Sequence, residues 1–156
     1  MTDPGPYEPS AAPAGDKGAE LMPRFLARLI DSIIVMVAML PIVTIAGIGM
    51  GFGSITFGIL SAVLVVAYFA LMETYQGQTL GKMLLKLKTV APDGGKPSLE
   101  AAIKRNAWYL LGIVPFIGGL AQLAVVIYIA VTISQSAMNL GWHDTFAGTK
   151  VVAVTA

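Results

Sequence analysis

Two stretches of the chain, Ser32 to Met72 and Asn106 to Trp142, contain no Asp, Glu, Lys, Arg or His. They are 41 and 37 residues long. An apolar helix needs about 20 residues to cross a hydrocarbon core of ~30 Å at ~1.5 Å per residue, so each stretch has roughly twice the length of one crossing. Each therefore reads as a helical hairpin in a membrane.

With 56% hydrophobic and 12% charged residues in 156 and a mean hydropathy of +0.75, a soluble domain would lack enough polar surface to face water. The fold class expected is an all-α polytopic membrane protein, with four transmembrane helices arranged as two hairpins over approximately 24–46, 54–75, 99–114 and 119–138 and a small cytoplasmic helix/strand module. The alternative is three spans, with one long proline-kinked third span that puts the carboxyl terminus outside. Residues 1–20, rich in Pro, Gly and Ala and without apolar periodicity, are expected to be a disordered tail, leaving 21–156 as one compact domain. The apolar run begins only after Arg28 and is far too long for a signal peptide, so the first crossing is expected to stay in the mature protein.

Charge and composition exclude several function classes. A net charge of +1 gives no support for a nucleic-acid partner. Cysteine is absent and there is one histidine, which removes thiolate chemistry and leaves any zinc or haem site to carboxylates, so no metal and no cofactor is expected. Gly77-Gln-Thr-Leu-Gly81-Lys82 has three residues between its glycines and Met83 after the lysine. It thus lacks the loop and hydroxyl of a phosphate-binding loop. No Ser-His-Asp order or paired-carboxylate spacing supports hydrolysis, and no enzyme activity is expected.

Orientation follows from the basic residues. Lys17, Arg24 and Arg28 precede the first run, Lys82 to Arg105 carry six between the runs, and Lys150 follows the second. Two hairpins place all ten on one side, which the positive-inside rule makes cytoplasmic. The other side then holds two turns, Gly47 to Ser54 with four glycines and Pro115-Phe-Ile-Gly-Gly119. Trp108-Tyr109 reads as an interfacial anchor. Between the hairpins, Thr79 precedes a short helix whose Leu80, Leu84 and Leu87 share one face while Lys82 and Lys86 take another, a pattern suited to the membrane surface. From Leu85 the residues alternate toward Pro92-Asp-Gly-Gly95, and Thr149 to Val154 is β-branched, so two strands can pair if both are cytoplasmic. Ser98 reads as an N-cap with Glu100 in the first turn, starting the third helix near Leu99.

Arg24-Phe-Leu-Ala-Arg-Leu-Ile-Asp31 entering the first span, Gly77-Gln-Thr-Leu-Gly-Lys82 after the second and His143-Asp-Thr-Phe-Ala-Gly-Thr149 before a Val-rich end occur in that order. Over roughly Pro23 to Val154 the chain resembles the RDD family of bacterial membrane proteins. The family takes its name from one arginine and two aspartates, and its motif falls on Arg24, Asp31 and Asp144. The resemblance implies a bacterial cytoplasmic membrane location and, from proposals made for some members, cation/proton exchange.

The chemistry of these residues admits an ion-pair cluster or an ion and proton site. An unpaired carboxylate at Asp31, just inside the apolar run, costs several kcal/mol, so it needs a partner, a proton or an ion. Arg24 lies about 10 Å of helical rise away, and Arg28 is the nearer local partner. If the terminal segment folds back, Asp144 meets Arg24, and exchanging the two charges should then preserve folding. Glu73 mirrors Asp31 at the end of the second span, where a carboxylate snorkelling into headgroup water is expected. His143 is either a turn residue with a satisfied hydrogen bond or half of a pH-responsive pair with Asp144. Two readings follow: transport using Asp31, Asp144 and Glu73, or a structural or assembly subunit. The central thirds of the helices carry no ionisable group, which weighs against exchange. The partners expected are the lipid bilayer and either a second copy of the chain or another membrane protein.

Overall fold

The computed structural model describes residues 17–52 and 54–154. In chain order these form α1 (Leu21–Met50), α2 (Ile55–Gln76), α3 (Leu80–Leu84), β1 (Leu87–Val90), α4 (Leu99–Asn106), a 3-10 helix (Ala107–Ile113), α5 (Gly118–Gln135), α6 (Trp142–Ala147) and β2 (Lys150–Ala153). Three of them, α1, α2 and α5, are long and apolar enough to span a membrane.

α1 starts three residues earlier and ends four later than the sequence reading placed it. Pro23 is compatible with the first turn, where its missing N–H has no intrahelical partner. At the other end Gly47 and Gly49 remain helical, and the chain reverses only at Gly51, whose φ of +82° ends the helix. A Cβ at Gly47 would meet the ring of Phe52, an exposed side chain that can turn aside. α2 begins at Ser54, whose Oγ accepts a hydrogen bond from Phe57 N at 3.2 Å, and it ends at Gly77 in the left-handed region.

The expected third helix over 99–114 is instead two pieces. Ser98 caps α4, its Oγ accepting from Ala101 N at 3.2 Å, and the helix tightens to 3-10 geometry after Asn106. Pro115 supplies no N–H to continue the ladder and drives Val114 into an extended conformation, which ends the segment at Ile113. At ~2.0 Å per residue against ~1.5 Å, the 3-10 helix reaches farther than the same residues in α form. It runs beside α2 until the backbone of Ile113 closes on Gly58, where a Cβ would overlap the Ile113 carbonyl. The chain then turns through Phe116, at positive φ, and α5 returns.

α5 ends near Ser136, whose Oγ accepts from Met138 N and Leu140 N. α6 follows. β1 and β2 then pair antiparallel, Leu87 opposite Ala153 and Val90 opposite Lys150, as the alternation after Leu85 and the β-branched end suggested. The ribbon closes against the start of α1, where Ala27, Leu87 and Val151 are buried together. Of the expected tail, residues 1–16 lie outside the described residues. Residues 17–20 are not tail-like: Gly18 N donates to Met138 O and Ala19 N to Val151 O. A Cβ at Gly18 would meet three backbone oxygens, so the absence of a side chain is what allows this docking.

Candidate functional site

The buried polar groups gather at one end of the bundle, where α1 begins, α2 ends, and α3, α4, α6 and the ribbon meet. Arg24, Asp31, Glu73, Lys82, Arg105, Asn106, His143 and Asp144 are each at most 8% exposed. Burial of this many charges is tolerable only when each is paired and hydrogen-bonded.

Three carboxylates organise the cluster. Asp144 sits in the first turn of α6 and accepts from Gly141 N at 2.8 Å, the acid's half of a capping box. It also receives Arg24 Nη2 at 2.5 Å and is paired with Arg105. Burial alone would raise its carboxyl pKa, but the guanidiniums of Arg105 and Arg24 outweigh this and hold it well below the usual range. Glu73, on the last turn of α2, is paired with Lys82, lies 3.5 Å from Arg105 Nε and accepts from Asn106 Nδ2 at 3.1 Å. Arg105 thus stands between two acids of different elements. Its Nη1 also donates to Thr149 Oγ1 at 2.9 Å. Lys82 donates to Thr89 Oγ1 at 2.6 Å, and burial pulls its ammonium down to about 8 against the attraction of Glu73.

Asp31 is satisfied without a cation. It accepts from Tyr68 Oη at 3.0 Å, Thr79 Oγ1 at 2.5 Å and Gly81 N at 2.7 Å. Gly81 is required for that last bond: a Cβ there would overlap the Ala27 carbonyl oxygen. Gly77, in the left-handed conformation at the end of α2, turns the chain so that Thr79 and Gly81 face α1.

Arg28 does not pair with Asp31, contrary to the helical-neighbour expectation. Its Nη2 donates to Asn106 Oδ1 at 3.1 Å, and its guanidinium lies 4.1 Å from the Phe69 ring centroid. Ring stacking explains the difference, since Phe69 and Tyr109 lie parallel at 5.3 Å and draw the guanidinium toward α2. Glu73 is likewise not in headgroup water: it is fully buried, because α4 carries Arg105 and Asn106 across it. His143 is 4% exposed, with Nε2 3.5 Å from Arg24 Nη2 and Nδ1 without a partner. Burial holds its pKa well below the ordinary imidazole value. In α3 the leucines Leu80 and Leu84 are exposed and Lys82 is inward, so the lysine on the polar face is a buried partner.

Arg105, Asn106, Tyr68 and Thr89 were not singled out from the sequence, and Thr79 and Thr149 were read there only as the start of a short helix and of a strand. One signal was available: Arg105 and Asn106 stand at the edge of the second uncharged run, as Asp31 and Glu73 stand at the edges of the first. Beside the cluster lies a cavity of about 90 Å³ whose walls include Arg24, Arg28, Lys82, Arg105, Trp108 and His143. Among the described residues no group of three His, Cys, Asp or Glu is arranged to hold a metal ion.

Apolar helices able to span a membrane, tied at one end by a buried network of arginines and carboxylates, define a polytopic membrane protein. The RDD family model matches residues 18–148, and the chain belongs to the RDD family. No curated protein and no solved structure matches it.

Proposed function

We propose that the protein is a structural or assembly subunit of the bacterial cytoplasmic membrane, with its charged end and amino terminus facing the cytoplasm. The single observation that carries this is the closure of the cluster: each of the three buried carboxylates is held by partners from two or more other elements. Those bonds join the ends of the spans to the ribbon and to α6. Above the cluster the spans contain no ionisable group, and their apolar faces remain outward, available to lipid, to a second copy or to another membrane protein. The reading is non-enzymatic.

Native mass spectrometry after mild solubilisation tests it. The expected result is a defined assembly heavier than the 16.3 kDa chain, dissociated by polar substitutions on the outward faces of α1 or α5. A chain that is monomeric in every detergent and bilayer mimic would overturn the proposal.

Cation/proton exchange is supported by one specific feature. Asp31 is the buried acid with hydrogen bonds only to neutral donors, and it lines the cavity. The same cavity wall carries four cationic residues, which repel a cation. Proteoliposomes loaded with Na+ or K+ and a pH-sensitive dye distinguish the readings: flux abolished by Asp31→Asn favours exchange, and its absence favours assembly.

A further inference from the structure

The cluster contains four cations, Arg24, Arg28, Lys82 and Arg105, and three acids, Asp31, Glu73 and Asp144. With His143 neutral, one positive charge is in excess. Arg24, Lys82 and Arg105 share the two acids Glu73 and Asp144 and Asp31 is bonded to neutral donors, whereas the bonded partner of Arg28 is the neutral amide oxygen of Asn106, so Arg28 has no carboxylate of its own.

The donors left over point the same way. Arg28 Nη1 and Trp108 Nε1 are both buried and have no hydrogen-bond partner. Both residues line the cavity of about 90 Å³. Each unsatisfied buried donor costs about 1–3 kcal/mol, and a set of them sharing one space is relieved by a single acceptor-rich anion. The volume exceeds the ~30 Å³ share of one water. The wall also carries Arg24, Lys82 and Asp31, whose carboxylate already accepts three hydrogen bonds, and is otherwise apolar, with Phe25 of α1 and Val126, Ile129 and Ile133 of α5.

We propose that this cavity binds a phosphate group, held by Arg28 and Trp108 at the charged end of the bundle. The apolar wall suits a phospholipid, whose head would meet Arg28 and Trp108 while its glycerol and acyl portions run between α1 and α5. A soluble phosphate presents the same oxygens without the chains. Arg28 contributes a planar pair of donors and Trp108 a single one, a fork matched to two phosphate oxygens.

The test is the rise in unfolding temperature of the full chain in detergent on addition of phosphatidylglycerol, phosphatidylcholine or inorganic phosphate. The expected result is a saturable rise with phosphatidylglycerol, a weaker one with phosphatidylcholine, and an affinity for the anionic lipid about tenfold lower in Arg28→Gln, the loss of one charge-assisted hydrogen bond. Trp108→Phe keeps the ring and removes the donor, so it carries the test if Arg28→Gln does not fold; a several-fold loss is expected. A saturable response to inorganic phosphate that is lost in either variant, with no lipid response, would keep the phosphate site and overturn the lipid source. Equal binding by the wild type and both variants, or no saturable response to any of the three, would overturn the proposal.

Discussion

Arg105 ties the end of α2 to α6, because its guanidinium meets Glu73 and Asp144 together. This changes what charge exchange between positions 24 and 144 should do. An arginine at 144 would satisfy an aspartate at 24 but would face Arg105, so the double variant is expected to fail like the single ones. Asp144→Asn alone leaves Arg24 and Arg105 facing each other and should cost about 3–5 kcal/mol, read as loss of a monodisperse species in detergent and a lower unfolding temperature. His143 supplies a second measurement at this scale. Burial, with Arg105, Arg24 and Arg28 around it and Asp144 opposing, lowers its pKa well below the unfolded value of 6.5. The unfolded chain therefore takes up a proton as pH falls through 6.5 while the folded chain does not. Stability is complete above 6.5 and declines below it by about 1.4 kcal/mol per pH unit. Unfolding between pH 6.5 and 4.5 should follow that slope in the wild type and lose it in His143→Gln. Asp31 and Glu73 were visible in the sequence because an acid at the edge of an uncharged run is costly without a partner, and Asp144 through the family motif. The partners were less legible: Tyr68, Thr79 and Thr89 are hydroxyl residues with no charge to draw notice, and Arg105 reads as one more basic residue until α4 is packed.

Close approach of elements is tested best at α3. Its Gly81 lies against the Ala27 carbonyl of α1, and a Cβ there would overlap that oxygen and come within 3.0 Å of the Asp31 carboxyl carbon. Backbone cannot rotate away as a side chain can, so Gly81→Ala should cost about 1–3 kcal/mol and break the Gly81 N to Asp31 bond. Gly49 is the control, since a Cβ there meets nothing within 4 Å. Gly49→Ala should be neutral or add up to about 1 kcal/mol from helix propensity; thermal unfolding of the pair in one detergent reads the contrast. Element boundaries were legible where local chemistry sets them. Ser98 caps α4, and the alternating stretch from Leu85 pairs with the β-branched one from Thr149. They were misread where a tertiary neighbour decides. Residues 17–20 are held by β2 and the loop after α5, and the third leg changes helix type before Pro115. Period and propensity contain none of these contacts.

The number of crossings is a property of the whole chain, and the ribbon constrains it. β1 and β2 are hydrogen-bonded neighbours, so the chain between Val90 and Lys150 must cross a bilayer an even number of times. Ala19 N donates to Val151 O, which imposes the same parity on α1 and α2. α5 is long and apolar enough to cross, and a crossing by α5 then requires a return leg from α4 and the 3-10 helix. Those 15 residues extend about 26 Å at their respective rises, but α4 carries Glu100, Lys104 and Arg105, so the uncharged part is the 3-10 helix of about 14 Å, and a leg this short crosses a ~30 Å core only where the bilayer is thinned around it. Three crossings would separate β2 from β1 by a membrane and leave the Val151 backbone without Ala19. The chain has no native thiols, so single cysteines report sidedness directly. Phe116, 95% exposed at the turn before α5, is expected to react as cysteine with an impermeant maleimide in intact cells. Lys88→Cys on β1 and Val154→Cys just after β2 should react only after the membrane is opened. Labelling of position 154 from outside together with position 116 would mean that the ribbon does not form in the bilayer, and the cluster built on Thr89, Thr149 and Asp144 would lose its frame with it.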